Sequence, residues 1–128
     1  MAKQEKIIID SDVLFEFYKG NEEVSAAFYR IGLSNLCISV ITYGEAVFGT
    51  QNKTELTKWK KQLEKFSLLQ IDEYTCHLFV SIMNNYTLSH KSAIADSFIA
   101  ATALRYKIKL YTNNKKDFSF IKGLELYR

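Results

Sequence analysis

A chain of 128 residues with formal charge +3, 48% hydrophobic and 14% aromatic, fits one compact domain and is too apolar to be disordered. Its apolar runs are a handful of residues, too short to span a membrane, and Lys3 and Lys6 are followed only by Ile7, Ile8 and Ile9 before an acid, too little for a secretory signal. Cys37 and Cys76 make no disulfide framework and fit a reducing cytosol, so the expected location is cytoplasmic.

Ile7-Ile8-Ile9 is a β-branched run ending abruptly at Asp10, the pattern of a buried parallel strand. Asp10, Ser11 and Asp12 precede a short helix over 13–20 with a glycine stop. A second helix is expected from about Asn21 to Ile31, stopping at Gly32, and a strand over 36–40. Thr42 opens a helix through Phe48. From Lys53 onward, Leu56, Trp59, Leu63 and Phe66 recur at helical spacing with lysines between them. A third strand covers 68–71, and Asp72 caps a helix running to about Asn85. Ser92 starts a helix through Tyr106 that is apolar on almost every side, and hence buried. Residues 109–112 form a fourth strand and 124–127 a short fifth. Strands alternating with helices, uninterrupted by repeats or linkers, give a single α/β domain over 1–128 with a mostly parallel sheet of four to five strands flanked by helices.

In such sheets the working groups gather beyond the carboxyl ends of the strands. Asp10 directly follows the first strand; it can cap the next helix, but Ser11 and Asp12 offer the same service. Glu45 has a structural alternative, since Thr42-Tyr43-Gly44-Glu45 fits a capping box. Asp96 sits in the first turns of the apolar helix, where a carboxylate needs a cation or donor. Asp117 lies just past the fourth strand. These four acids come from separate segments that a parallel fold can bring to one end of the sheet. Gathered there they would repel one another unless a hard divalent ion such as Mg²⁺ or Mn²⁺ sat among them. One or two such ions support in-line phosphoryl displacement by water.

The charge is also uneven. Residues 1–50 carry seven acids and four bases, net −3, and residues 51–128 seven acids and thirteen bases, net +6. The basic half can draw a polyanion, though solvated lysines are the plain alternative.

Ile-Ile-Ile-Asp-Ser-Asp-Val-Leu (7–14) and Ile-Ser-Val-Ile-Thr-Tyr-Gly-Glu-Ala-Val-Phe-Gly (38–49) resemble the first half of PIN-domain ribonucleases. Ala-Asp-Ser-Phe-Ile-Ala-Ala-Thr-Ala-Leu (95–104) and Tyr-Thr-Asn-Asn-Lys-Lys-Asp-Phe (111–118) resemble the second half, and the whole looks like the VapC toxins of toxin–antitoxin modules. The resemblance implies an endoribonuclease in which Asp10, Glu45, Asp96 and Asp117 bind Mg²⁺ or Mn²⁺ and activate water. It implies that Ser11, Asp12, Thr112 and Asn114 order the site. Asp12 stands where asparagine or serine is also common, so its extra charge bears on the number of ions held. The resemblance further implies a homodimer, a VapB-like antitoxin and a structured RNA substrate, commonly tRNA. Lys58, Lys61, Lys115 and Lys116 are candidates for touching the RNA backbone.

Other residues read as structural. Cys76 and His77 point roughly 100° apart on a helix and have no Cys-x-x-Cys partner for zinc. His90 reads as a surface loop residue, and Trp59 as part of a packing stripe that leaves Lys58, Lys60, Lys61 and Lys65 exposed. A phosphoacceptor receiver domain is the rival reading, with Asp10, Asp12, Asp72, Thr112 and Lys115 imitating its set. Consecutive helices over 73–85 and 92–106 argue against it, as does the unexplained Asp96. A PIN-like scaffold that binds RNA or a partner without cutting is a further alternative.

Overall fold

A computed structural model describes residues 5–128; Lys3, part of the basic start of the chain, lies outside them. Four short strands, β1 (Ile7–Ile9), β2 (Leu36–Ser39), β3 (Ser67–Leu69) and β4 (Lys109–Tyr111), form one parallel sheet in the order β3-β2-β1-β4. Register is set by Ile8 opposite Cys37 and Leu110, and by Ile38 opposite Leu68. Alternation along β1 divides the core. Ile7 and Ile9 face Leu14, Phe28, Leu36, Ile38 and Phe66 on one side, while Ile8 joins Cys37, Ile99, Leu110 and Phe118 on the other.

The first face is covered by α1 (Ser11–Tyr18), α2 (Glu22–Ile31), α3 (Val40–Phe48) and α4 (Lys53–Leu63). Asn21 caps α2 through the Val24 amide, and Gly32 ends it at φ 92°, a conformation that favours glycine. The second face carries α5 (Glu73–His90) and α6 (Ile94–Tyr106). These two pair as an antiparallel hairpin: the Phe79 and Phe98 rings stack at 3.7 Å, and Asp72 at the start of α5 meets Arg105 near the end of α6 at 2.8 Å. Ala100, Ala101 and Ala103 leave α6 slim enough to sit buried against the sheet.

Several expected boundaries move. The fifth strand over 124–127 is reduced to a single parallel bridge between Leu126 and Leu110, because the chain touches β4 at one residue only. The sheet therefore has four strands. Helix α3 starts at Val40 instead of Thr42, since the Ser39 hydroxyl caps it by accepting from the Thr42 amide at 3.1 Å. Helix α6 starts at Ile94, and Ser92 instead bonds the Ser97 hydroxyl at 2.6 Å. Ile94 itself is 63% exposed, so the burial of α6 begins a turn later. Helix α5 runs on past Asn85 to His90, whose ring stacks on Phe120, so this histidine closes a helix and is not a loop residue. Among the described residues no helix is long and apolar enough to cross a membrane.

Candidate active site

From β1 the chain passes outward through β2 to β3 and then returns to β4 on the other side of β1. The strand order thus reverses at β1, and the crevice beyond the carboxyl ends of β1 and β4 is where this fold class places ligands. Asp10 and Thr112 occupy that position, the first residue after each strand. The Asp10 amide donates to the Tyr111 carbonyl at 2.9 Å, and Thr112 Oγ1 donates to Asp10 Oδ2 at 2.8 Å. Asp10 Oδ1 accepts from the Ser11 amide at 2.7 Å, so this carboxylate caps α1 as well as facing the crevice. It is 5% exposed. Burial first, and then the Asp12 carboxyl beside it, push its pKa up to about 8, against the lowering effect of Thr112 and the Ser11 amide.

Two hydrogen-bonded arms extend from Asp10. On one, the Ser11 hydroxyl lies 2.5 Å from Glu45 Oε1 and 3.0 Å from Thr42 Oγ1, tying α1 to α3. Glu45 is therefore the sixth residue of α3, well inside it, and the capping-box alternative for it falls away because Ser39 does that work. On the other arm, Thr112 Oγ1 accepts from the Asn114 amide at 3.0 Å. The Asn114 side chain in turn donates to Asp12 Oδ2 at 2.6 Å, while Asp12 Oδ1 accepts from the Val13 amide. Buried Ser39 and Thr42 were not foreseen in this network; the signal available was two hydroxyl residues at the end of an apolar strand.

Asp96 enters from α6. Its pKa is pushed up to about 6, by burial first and then by the charges of Asp117, Glu45 and Asp12. The charges that act on it thus come from α1, α3 and the 3₁₀ turn Lys115–Asp117. Asp117 is exposed at the end of that turn, with Lys115 and Lys116 beside it in solvent. Lys58 and Lys61 stand apart from the network, exposed on α4.

Among the described residues no three His, Cys, Asp or Glu side chains are closed into a metal cage. The donor set nonetheless fits a hard divalent cation. It is made of carboxylate oxygens, and two of its acids are held above their ordinary range: Asp10 by burial and by Asp12, and Asp96 by burial and by the charges of Asp117, Glu45 and Asp12. A cation is what such a cluster needs in order to ionise fully at neutral pH.

Asp72 has a different fate. It caps α5 in a reciprocal pair with Thr75 and binds Arg105, and these hold its carboxyl down to about 2. Helices α5 and α6 follow one another with no strand between them, so the receiver arrangement is absent.

The sequence model of the PIN domain matches residues 7–123. The chain belongs to the PIN domain family. It is 28% identical over 131 residues to ribonuclease VapC1 of Methanocaldococcus jannaschii, an alignment covering 98% of this chain and 89% of that protein. The PIN fold superposes on a toxin–antitoxin complex from Klebsiella pneumoniae with TM-score 0.79 and 25% identity, covering 93% of this chain and 95% of the other. It superposes on FitAcB from Neisseria gonorrhoeae with TM-score 0.76 and 26% identity, covering 95% and 96%.

Proposed function

We propose that this PIN domain is a VapC-like endoribonuclease, the toxin of a toxin–antitoxin pair, that hydrolyses RNA at the crevice beyond β1 and β4. The observation that carries the reading is the network at the ends of β1 and β4, in which Thr112 and Ser11 tie Asp10 to Asn114 and Asp12 on one side and to Glu45 on the other; burial and then acids from three other segments also raise Asp96. Asp10, Glu45, Asp96 and Asp117 would hold one or two Mg²⁺ or Mn²⁺ ions. When bound, such an ion supplies activated water and neutralises charge on the phosphate.

The chain's own residues prepare that chemistry. Thr112 and the Ser11 amide fix both oxygens of Asp10, each of which keeps acceptor capacity. Ser11 holds Glu45, and Thr42, itself bonded by Ser39, holds Ser11. Asn114 locks Asp12, whose additional negative charge favours tight ion binding. Lys115 and Lys116, next to Asp117, offer positive charge to the RNA backbone as it approaches the acids. Relatives of known structure are toxin–antitoxin complexes, which supports a VapB-like antitoxin as partner. A homodimer acting on structured RNA, with tRNA the expected target, completes the reading.

The test is cleavage of total cellular RNA by purified protein in EDTA and again after adding Mg²⁺ or Mn²⁺. Discrete cleavage ends that depend on the metal and vanish in Asp96→Asn are the expected result.

A further inference from the structure

The length of α1 separates the acidic crevice from a second feature. Ser11 and Asp12 open the helix at the crevice, and Tyr18 closes it roughly 10 Å away, at about 1.5 Å per residue. There Tyr18 and Trp59 of α4 meet edge to face, with centroids 5.2 Å apart. Together with Glu55, Lys58 and Gln62 they line a slot of about 230 Å³. Trp59 does pack, as the stripe of the sequence implied, with Phe15 at 5.7 Å, but it also forms a wall of this open slot.

Some polar groups of the slot are engaged: Glu55 Oε2 accepts from the Gln51 amide at 2.9 Å. Tyr18 Oη donates to Gln62 Oε1 at 3.1 Å, and Lys65 Nζ donates to the same oxygen at 2.9 Å. Two donors on one atom fix it as the carbonyl oxygen, so the Gln62 amide nitrogen faces the other way. Among the described residues that nitrogen has no partner. Lys58 belongs to both this slot and an adjoining trough of about 390 Å³ lined by Lys53, Thr54, Thr57 and Lys61. Among the described residues Lys53, Lys58 and Lys61 make no ion pair, so three cations line the trough and its junction with the slot, against one carboxylate, Glu55, in the slot itself.

Aromatic walls, a free amide donor and adjacent free lysines match the chemistry of an unpaired nucleotide. The base face stacks on an aromatic ring, a base acceptor takes the amide, and the phosphates lie along the cations. A purely apolar peptide anchor would leave the lysines unanswered. We propose that the Tyr18–Trp59 slot and the Lys58–Lys61 trough form a subsite for an unpaired nucleobase and its flanking phosphates in the RNA substrate. The inference rests on the ribonuclease reading and adds to it a means of choosing single-stranded or looped RNA.

Trp59 is the single tryptophan of the chain, so its emission reports the slot directly. The experiment titrates the full chain in EDTA with a single-stranded oligouridylate of about eight nucleotides. Saturable quenching of Trp59 is expected, weakening with salt. The Lys58→Ala, Lys61→Ala double variant keeps helix α4, since both positions are exposed and alanine is the strongest helix former. It is expected to bind more weakly and to lower the logarithmic salt slope by about 1.4. Absence of quenching, or quenching indifferent to the two lysines, overturns the subsite. So does a change in Trp59 emission produced by a copurified partner protein but not by RNA. Metal-dependent cleavage without quenching overturns the subsite and leaves the nuclease reading standing. Lysine-dependent quenching without cleavage in Mg²⁺ or Mn²⁺ supports the subsite and overturns the nuclease.

Discussion

Thr112 Oγ1 donates a 2.8 Å hydrogen bond to Asp10 Oδ2 across 102 positions of sequence, joining the ends of β4 and β1 where the strand order reverses. The same oxygen accepts from the Asn114 amide, so one threonine fixes the angle of a buried carboxylate and the start of the loop that carries Asp117.

Replacing it tests that positioning. Thr112→Val keeps the shape and removes the donor, leaving Asp10 Oδ2 without its partner. Metal affinity and cleavage are expected to fall by about 10–100-fold, with both restored toward normal by Thr112→Ser. Isothermal titration with Mn²⁺ and a cleavage time course measure the two effects separately.

The metal-free protein has a defined pH response. Asp10 and Asp96 titrate at about 8 and about 6 in the folded chain, above the ordinary 3.8. The folded state therefore binds more protons than the unfolded chain between pH 3.8 and pH 8, and stability falls as pH rises through that window. Thermal melts in EDTA are expected to show a lower midpoint at pH 8 than at pH 5.5. Added Mn²⁺ should flatten the trend, because the ion stabilises the ionised acids. A midpoint that rises with pH in EDTA would count against the crowding of the acids.

Asp72 separates structural from catalytic acids. Asp72→Asn weakens the cap of α5 and the Arg105 pair while leaving the crevice untouched. Cleavage should stay near normal. The stabilising effect of ionised Asp72, held down to about 2, is complete above pH 3.8 and lost as pH falls toward 2, so wild type and variant should converge in acid.

Ser39→Ala probes the arm to Glu45. Removal of this helix cap is expected to cost about 1 kcal/mol in denaturant melts. Cleavage should also drop, since Ser39 supports Thr42 and Thr42 supports Ser11.

Much of this was legible because the parallel fold writes its site at strand ends. The three isoleucines before Asp10 marked β1, and four acids after strands or in a buried helix pointed to one locus. What sequence could not show was contact between distant hydroxyls. Thr42 and Glu45 have capping-box spacing, and only the preceding Ser39, three residues before Thr42, reveals that the helix starts earlier. Val40 read as the end of a strand because β-branched residues suit either state; it opens α3, whose Ile41 packs against the second core. Leu126 failed to make a fifth strand because a single bridge gives too few ladder bonds.

The central claim is that four carboxylates at this crevice cut RNA with a divalent ion. Mapping of cleavage ends on total RNA, with wild type and Asp96→Asn compared in EDTA and in Mg²⁺ or Mn²⁺, tests it most directly. Discrete ends appearing only for wild type with metal, from an Asp96→Asn protein that melts as a folded chain, are the expected outcome. Equal cleavage by folded Asp96→Asn, or wild-type cleavage undiminished in EDTA, would contradict it.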